Sequence, residues 1–123
     1  MMVQQLRAIA EEVRTLLEAK YGSEYSDLQG KCVEASELIS KKLTKQGIGH
    51  RIVEGWIIYD DASSCSNRDY DEHTWVEVGG LYIDVTLTQF EPFLEGPLQR
   101  VIVGEKPSFL VYEEPAESCE EVV

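Results

Sequence analysis

The stretch "HTWVEVGGLYIDVT", residues 73–86, decides the fold reading. Two runs of alternating residues flank Gly79-Gly80, and a two-residue Gly-Gly loop suits the primed turns that close antiparallel hairpins. With that turn, Val78 faces Leu81, Trp75 faces Asp84 and His73 faces Thr86. Side chains alternate along strands, so His73, Trp75, Glu77, Tyr82, Asp84 and Thr86 share one face. Thr74, Val76, Val78, Leu81, Ile83 and Val85 share the other, which is almost wholly apolar. His73 and Asp84 are then diagonal neighbours, with Cβ atoms ~7–8 Å apart or somewhat less. A carboxylate at that distance can accept a hydrogen bond from an imidazole N–H. Aspartate is disfavoured inside strands, so its presence calls for a reason.

Before the hairpin, "RIVEGWIIY" (51–59) is rich in β-branched and aromatic residues and predicts a strand. "DDASSCSNRDYDE" (60–72) is polar and turn-prone and predicts a loop. After the hairpin, "QRVIV" and "SFLVY" predict two further short strands separated by "GEKP". The N-terminal third has a different period. Val3, Leu6, Ile9, Val13, Leu16 and Leu17 recur at helical spacing, with Glu11, Glu12, Arg14 and Glu18 assigned to the outer side. A loop, "YGSEYSDLQGK", follows, and a second helix is predicted from Lys31 to Lys45, ending at Gly47. The class is α+β: N-terminal helices packed on an antiparallel sheet, as one domain over residues 1–112 with an acidic tail at 113–123.

Composition restricts partners. Twenty-three acidic residues against 11 basic ones give a formal charge of −12, which repels nucleic-acid backbones and anionic membrane surfaces, so neither is expected as a partner. The three cysteines, Cys32, Cys65 and Cys119, are too sparse and irregular for a disulfide framework. With no CxxC pair and only two histidines, no cysteine-rich zinc site is expected, nor any cofactor. The N-terminus lacks a signal-peptide core, and no apolar run could span a bilayer, so a cytoplasmic location is expected.

Cys32 opens the second helix in "QGKCVEAS". Free N–H groups and the helix dipole at such a tip favour a thiolate. Ala35, Ser36, Ile39 and Leu43 follow on the same side, which places Cys32 at the head of a buried stripe. Cys65 and Cys119 lack this context, and His50 has no carboxylate partner in reach of sequence reasoning.

A helix-tip cysteine, then a strand histidine, then an aspartate on the adjacent strand resembles the transglutaminase-like branch of the papain-like cysteine enzymes. The matching pieces are "GKCVEAS", "HTWVEV" and "LYIDVT", within about residues 28 to 90. Val33 stands where papain and animal transglutaminases carry a tryptophan, so the likeness is to the broader group. It implies nucleophilic acyl transfer, with Cys32 as nucleophile, His73 as base and Asp84 orienting the imidazole. The Cys32 backbone N–H is the implied oxyanion donor. Gln29, Tyr25 or another backbone N–H is a candidate second donor, and Trp75 a candidate wall for substrate. The expected activity is that of a small hydrolase or acyltransferase on a peptide or protein amide, with a partner protein supplying specificity. The alternative is an inactive binding module that retains the fold; a metal site of Cys32, His73 and Asp84 is a further option.

Overall fold

The computed structural model describes residues 2–58, 70–94 and 98–114. Two helices come first, α1 (Met2–Tyr21) and α2 (Cys32–Lys45), with a 3₁₀ turn at Tyr25–Leu28 between them. Five strands follow: β1 (Arg51–Ile58), β2 (Tyr70–Val78), β3 (Leu81–Asp84), β4 (Ile102–Gly104) and β5 (Leu110–Val111). A second 3₁₀ segment, Leu87–Phe93, lies between β3 and β4. The strands form one curled antiparallel sheet in the order β4-β3-β2-β1-β5. The α+β class expected from the sequence is the observed one. Among the described residues, no helix is long and apolar enough to cross a membrane.

The hairpin has the anticipated register. Val78 pairs with Leu81, Glu77 with Tyr82 and Val76 with Ile83. Gly79 and Gly80 both have positive φ, +52° and +91°, as a primed two-residue turn requires. Alternation then divides the hairpin between two apolar clusters. Val76, Val78, Ile83 and Val85 join Leu6, Ile9, Val13 and Leu17 of α1 and Ala35, Ile39 and Leu43 of α2. Trp75 and Tyr82 join Val53, Ile57 and Leu110 on the opposite face, together with Leu87 and Phe90 of the second 3₁₀ segment. The face carrying His73 and Asp84 is therefore buried as well.

Four expectations need correction. Tyr70, Asp71 and Glu72, assigned to a loop, belong to β2, because β1 runs long enough to pair Ile58 with Tyr70 and Trp56 with Glu72. The last two strands are shorter than their sequence runs, covering 102–104 and 110–111. Arg14, assigned to the outer side of α1, is buried. Its guanidinium donates to the Val85 carbonyl (2.9 Å), the Thr88 hydroxyl (2.9 Å) and Glu18 (2.7 Å), which satisfies a charge that burial would otherwise penalise. Val3 and Leu16, counted with the apolar stripe, are exposed. Cys65, Cys119 and residues 115–123 of the acidic tail lie outside the described residues.

Candidate active site

Each member of the site is positioned by its element. Cys32 is the first residue of α2, and the side chain of Lys31, the N-cap, makes no capping bond. The first intrahelical bond runs from the Ala35 N–H to the Lys31 carbonyl, so the backbone N–H groups of the first turn have no intrahelical acceptors. Buried residues of α2 are Ala35, Ser36, Ile39 and Leu43, the stripe predicted below the cysteine. Gly30, with φ +76°, turns the chain from the 3₁₀ segment into the helix. The ladder between β2 and β3 begins at Val76, and the tip of α2 meets β2 beyond it, at His73 and Thr74.

His73 and Asp84 are 1% and 3% exposed, and His73 Nε2 lies 2.5 Å from Asp84 Oδ2. The carboxylate is further held by the Tyr82 hydroxyl, which donates to the same oxygen. The Thr86 backbone N–H donates to Oδ1 at 2.9 Å. With Nε2–H committed to Asp84, the other ring nitrogen, Nδ1, is the one left for Cys32. Nδ1 is buried and has no hydrogen-bond partner among the described residues. The thiol is close enough for the two groups to shift each other's titration, but Nδ1 has no formed hydrogen bond to it. Such looseness is ordinary in a site without substrate. Phe90 stands edge-on to the imidazole at a centroid distance of 5.1 Å and fixes its plane from the side of the second 3₁₀ segment.

The electrostatics follow from burial and pairing. Burial pushes the His73 pKa down, but the Asp84 charge and its hydrogen bond outweigh this, with a smaller contribution from Cys32. The result is raised from 6.5 to about 9. Burial also pushes the Cys32 thiol up, and His73, with the Thr74 amide and hydroxyl, more than reverses it, leaving the thiol below its ordinary value. Asp84 is likewise pushed up by burial and held below the usual carboxylate range by His73, Tyr82 and Thr86. Burial and the adjacent Asp84 charge raise the Tyr82 phenol well above its ordinary value, so it stays a neutral donor. At neutral pH the stable arrangement is an imidazolium between a carboxylate and a thiol inclined to ionise.

Cys32, His73 and Asp84 are thus brought together from three elements. The other sequence candidates lie further out or further in. Gln29 ends the first 3₁₀ segment and is exposed, as is Tyr25. Trp75 is 1% exposed and backs the imidazole from inside the core, its indole N–H donating to Glu77 at 3.0 Å. His50 is bonded to Ser40 and to the Ile48 carbonyl, away from the site. No group of three His, Cys, Asp or Glu residues among those described is arranged to hold a metal.

Sequence reasoning missed Thr74, Phe90 and Gln89, and gave no role to Tyr82 or Thr86 although it placed both on the His73 face. Tyr82 and Asp84, two apart on one strand face, were a readable signal. Gln89 had none, because its bond to Gly30 is made across the fold. Compared with models of known protein families, with curated proteins and with solved structures, the chain matches none.

Proposed function

We propose that this protein is a small cysteine hydrolase or acyltransferase with a transglutaminase-like, papain-like core. It acts on a peptide or protein amide through a thioester. One observation carries the reading: a buried imidazole, bound through one nitrogen to a buried carboxylate and unpartnered at the other, interacts with a cysteine at a helix tip. Such an arrangement favours the thiolate over the thiol and so eases the step that makes the nucleophile.

The Cys32 thiolate attacks the carbonyl carbon, and the new C–S bond drives the π electrons onto oxygen. The Cys32 backbone N–H at the α2 tip is the natural donor to that oxyanion, with Gln29 and Tyr25 as candidates for the second. As the tetrahedral intermediate collapses, His73 gives its Nδ1 proton to the departing amine and the C–N bond breaks. Water, or an acceptor amine, then loses a proton to Nδ1, adds to the thioester and expels the thiolate. Asp84 keeps Nε2 protonated throughout, so Nδ1 is always the nitrogen that exchanges a proton with substrate.

Alkylation with iodoacetamide, followed residue by residue by mass spectrometry, tests it. Cys32 should react at about pH 6 at least ~10-fold faster than Cys65 or Cys119, and His73→Ala should remove that advantage. Equal labelling of the three cysteines, or a Cys32 rate indifferent to His73, would indicate an inactive binding module and sink the proposal.

A further inference from the structure

Gln89 lies on the second 3₁₀ segment, is 6% exposed, and uses both ends of its amide. Its Nε2 donates to the Thr86 carbonyl at 3.0 Å. Its Oε1 accepts the Gly30 N–H at 3.1 Å, across 59 residues of sequence. Thr86 is the residue whose own N–H holds Asp84. Gly30 is the turn two residues ahead of Cys32, where a positive φ sets the direction in which the chain enters α2. Followed residue by residue, the contacts form a closed ring: Cys32 to His73, His73 to Asp84, Asp84 to Thr86, Thr86 to Gln89, Gln89 to Gly30, and Gly30 back along the backbone to Cys32.

At the helix tip Cys32 itself meets the Thr74 amide and hydroxyl of β2, and the Gln89 bond adds a tie at the entry turn two residues earlier. Apolar packing of α2 against the sheet fixes the depth of the helix but is tolerant of sliding, because dispersion contacts have no preferred direction. A hydrogen bond to Gly30 opposes sliding directly. We infer that Gln89 is a positioning residue that sets the separation between the Cys32 sulfur and His73 Nδ1 by tying the nucleophile's entry turn to the turn that holds the acid. The inference rests on the proposed Cys-His-Asp site. Gln89 touches neither the sulfur nor the imidazole; it acts through Gly30 and Thr86.

A shift of about 1 Å in a reacting pair costs up to ~100-fold, so the expected effect is large for a residue outside the site. Gln89→Leu keeps the side chain's approximate volume and removes both bonds. Gln89→Glu keeps an acceptor for the Gly30 N–H but sets a second oxygen against the Thr86 carbonyl. The readout is the rate constant for iodoacetamide alkylation of Cys32 against pH, alongside thermal unfolding of the full chain. The titratable groups facing the thiol from the packed elements are His73, with Asp84 and Tyr82 behind it, and none of them is altered. Gln89→Leu should lower the rate at about pH 6 by ~10-fold, yet leave it within ~2-fold of wild type near pH 9.5, where any thiol is largely ionised. Gln89→Glu should change the profile in the same direction, and it decides the matter if the leucine variant does not fold.

A wild-type profile in either folded variant, even with a lowered melting temperature, would reduce Gln89 to a structural role and overturn the inference while leaving the site intact. Absence of low-pH reactivity in the wild-type protein would overturn both.

Discussion

Replacing Asp84 by Asn separates the charge of the buried pair from its shape. The carboxylate accepts from His73 and Tyr82 at one oxygen and from the Thr86 N–H at the other. An amide in its place must present an NH₂ group toward one of these positions. If it faces His73, Nε2 becomes the acceptor and the ring proton moves to Nδ1, the wrong tautomer for a base acting on Cys32. The energetic size follows from the imidazole. A pKa held at about 9 in the folded protein, against an ordinary 6.5, corresponds to about 3 kcal/mol of stability.

Because the His73 value is raised, that stability is full below pH 6.5 and is lost as pH rises through about 9. Because the Asp84 value is lowered, the same interaction also fails as pH falls below the usual carboxylate range. The assay is denaturant unfolding of Cys32→Ala and of Cys32→Ala/Asp84→Asn between about pH 6.5 and 9.5, which removes the thiol from both. The single variant should lose about 2–3 kcal/mol more than the double variant over that range, equivalent to ~10 °C in melting temperature. Titrations common to the two proteins cancel in the comparison. Parallel curves would mean that His73 is not held as a cation by Asp84, and the electrostatic account of the site would fail.

Tyr82→Phe removes one donor from a charged acceptor and should cost about 1.5–3 kcal/mol in urea unfolding, while Cys32 keeps its early onset of alkylation because Asp84 still faces His73. Gly55→Ala should destabilise by about 1–3 kcal/mol, since a Cβ there would overlap the Trp75 ring and the Val111 carbonyl; thermal unfolding measures it. Arg14→Leu leaves the Val85 carbonyl and Thr88 hydroxyl without their buried donor and should cost about 3 kcal/mol, read by the same unfolding experiment.

The hairpin was legible because two local rules agree there. A Gly-Gly turn fixes register, and strict alternation assigns every side chain to a face. The buried side of α2 was legible for the same kind of reason, since helical spacing from Cys32 leads to Ala35, Ser36, Ile39 and Leu43. The rest depends on contacts that have no local signature. Arg14 looks like an outward charge on the helix, and only Val85 and Thr88, more than 70 residues away, make it an inward one. "LTQFEPF" has neither helical nor strand period, so the segment that buries the His73 face was not anticipated. Gly55 reads as a flaw in a strand until Trp75 is seen lying across it. Cys32, His73 and Asp84 could be named from sequence, but their meeting depends on α2 beginning beside His73 and Thr74, just beyond the β2–β3 ladder.

That meeting has a consequence for the chain before it is folded. His73 and Asp84 share a hairpin with a two-residue turn, so their encounter closes only a short loop. Cys32 arrives from another element, and its interaction with this pair requires α2 to be docked. Until then it is an ordinary thiol, with a pKa near ~8.5 and only a few per cent ionised at neutral pH. The lowered thiol pKa is therefore a property of the completed tertiary structure. A nascent or denatured copy of this protein carries the same cysteine as an ordinary thiol, and its altered titration arises in the step that makes the chain compact.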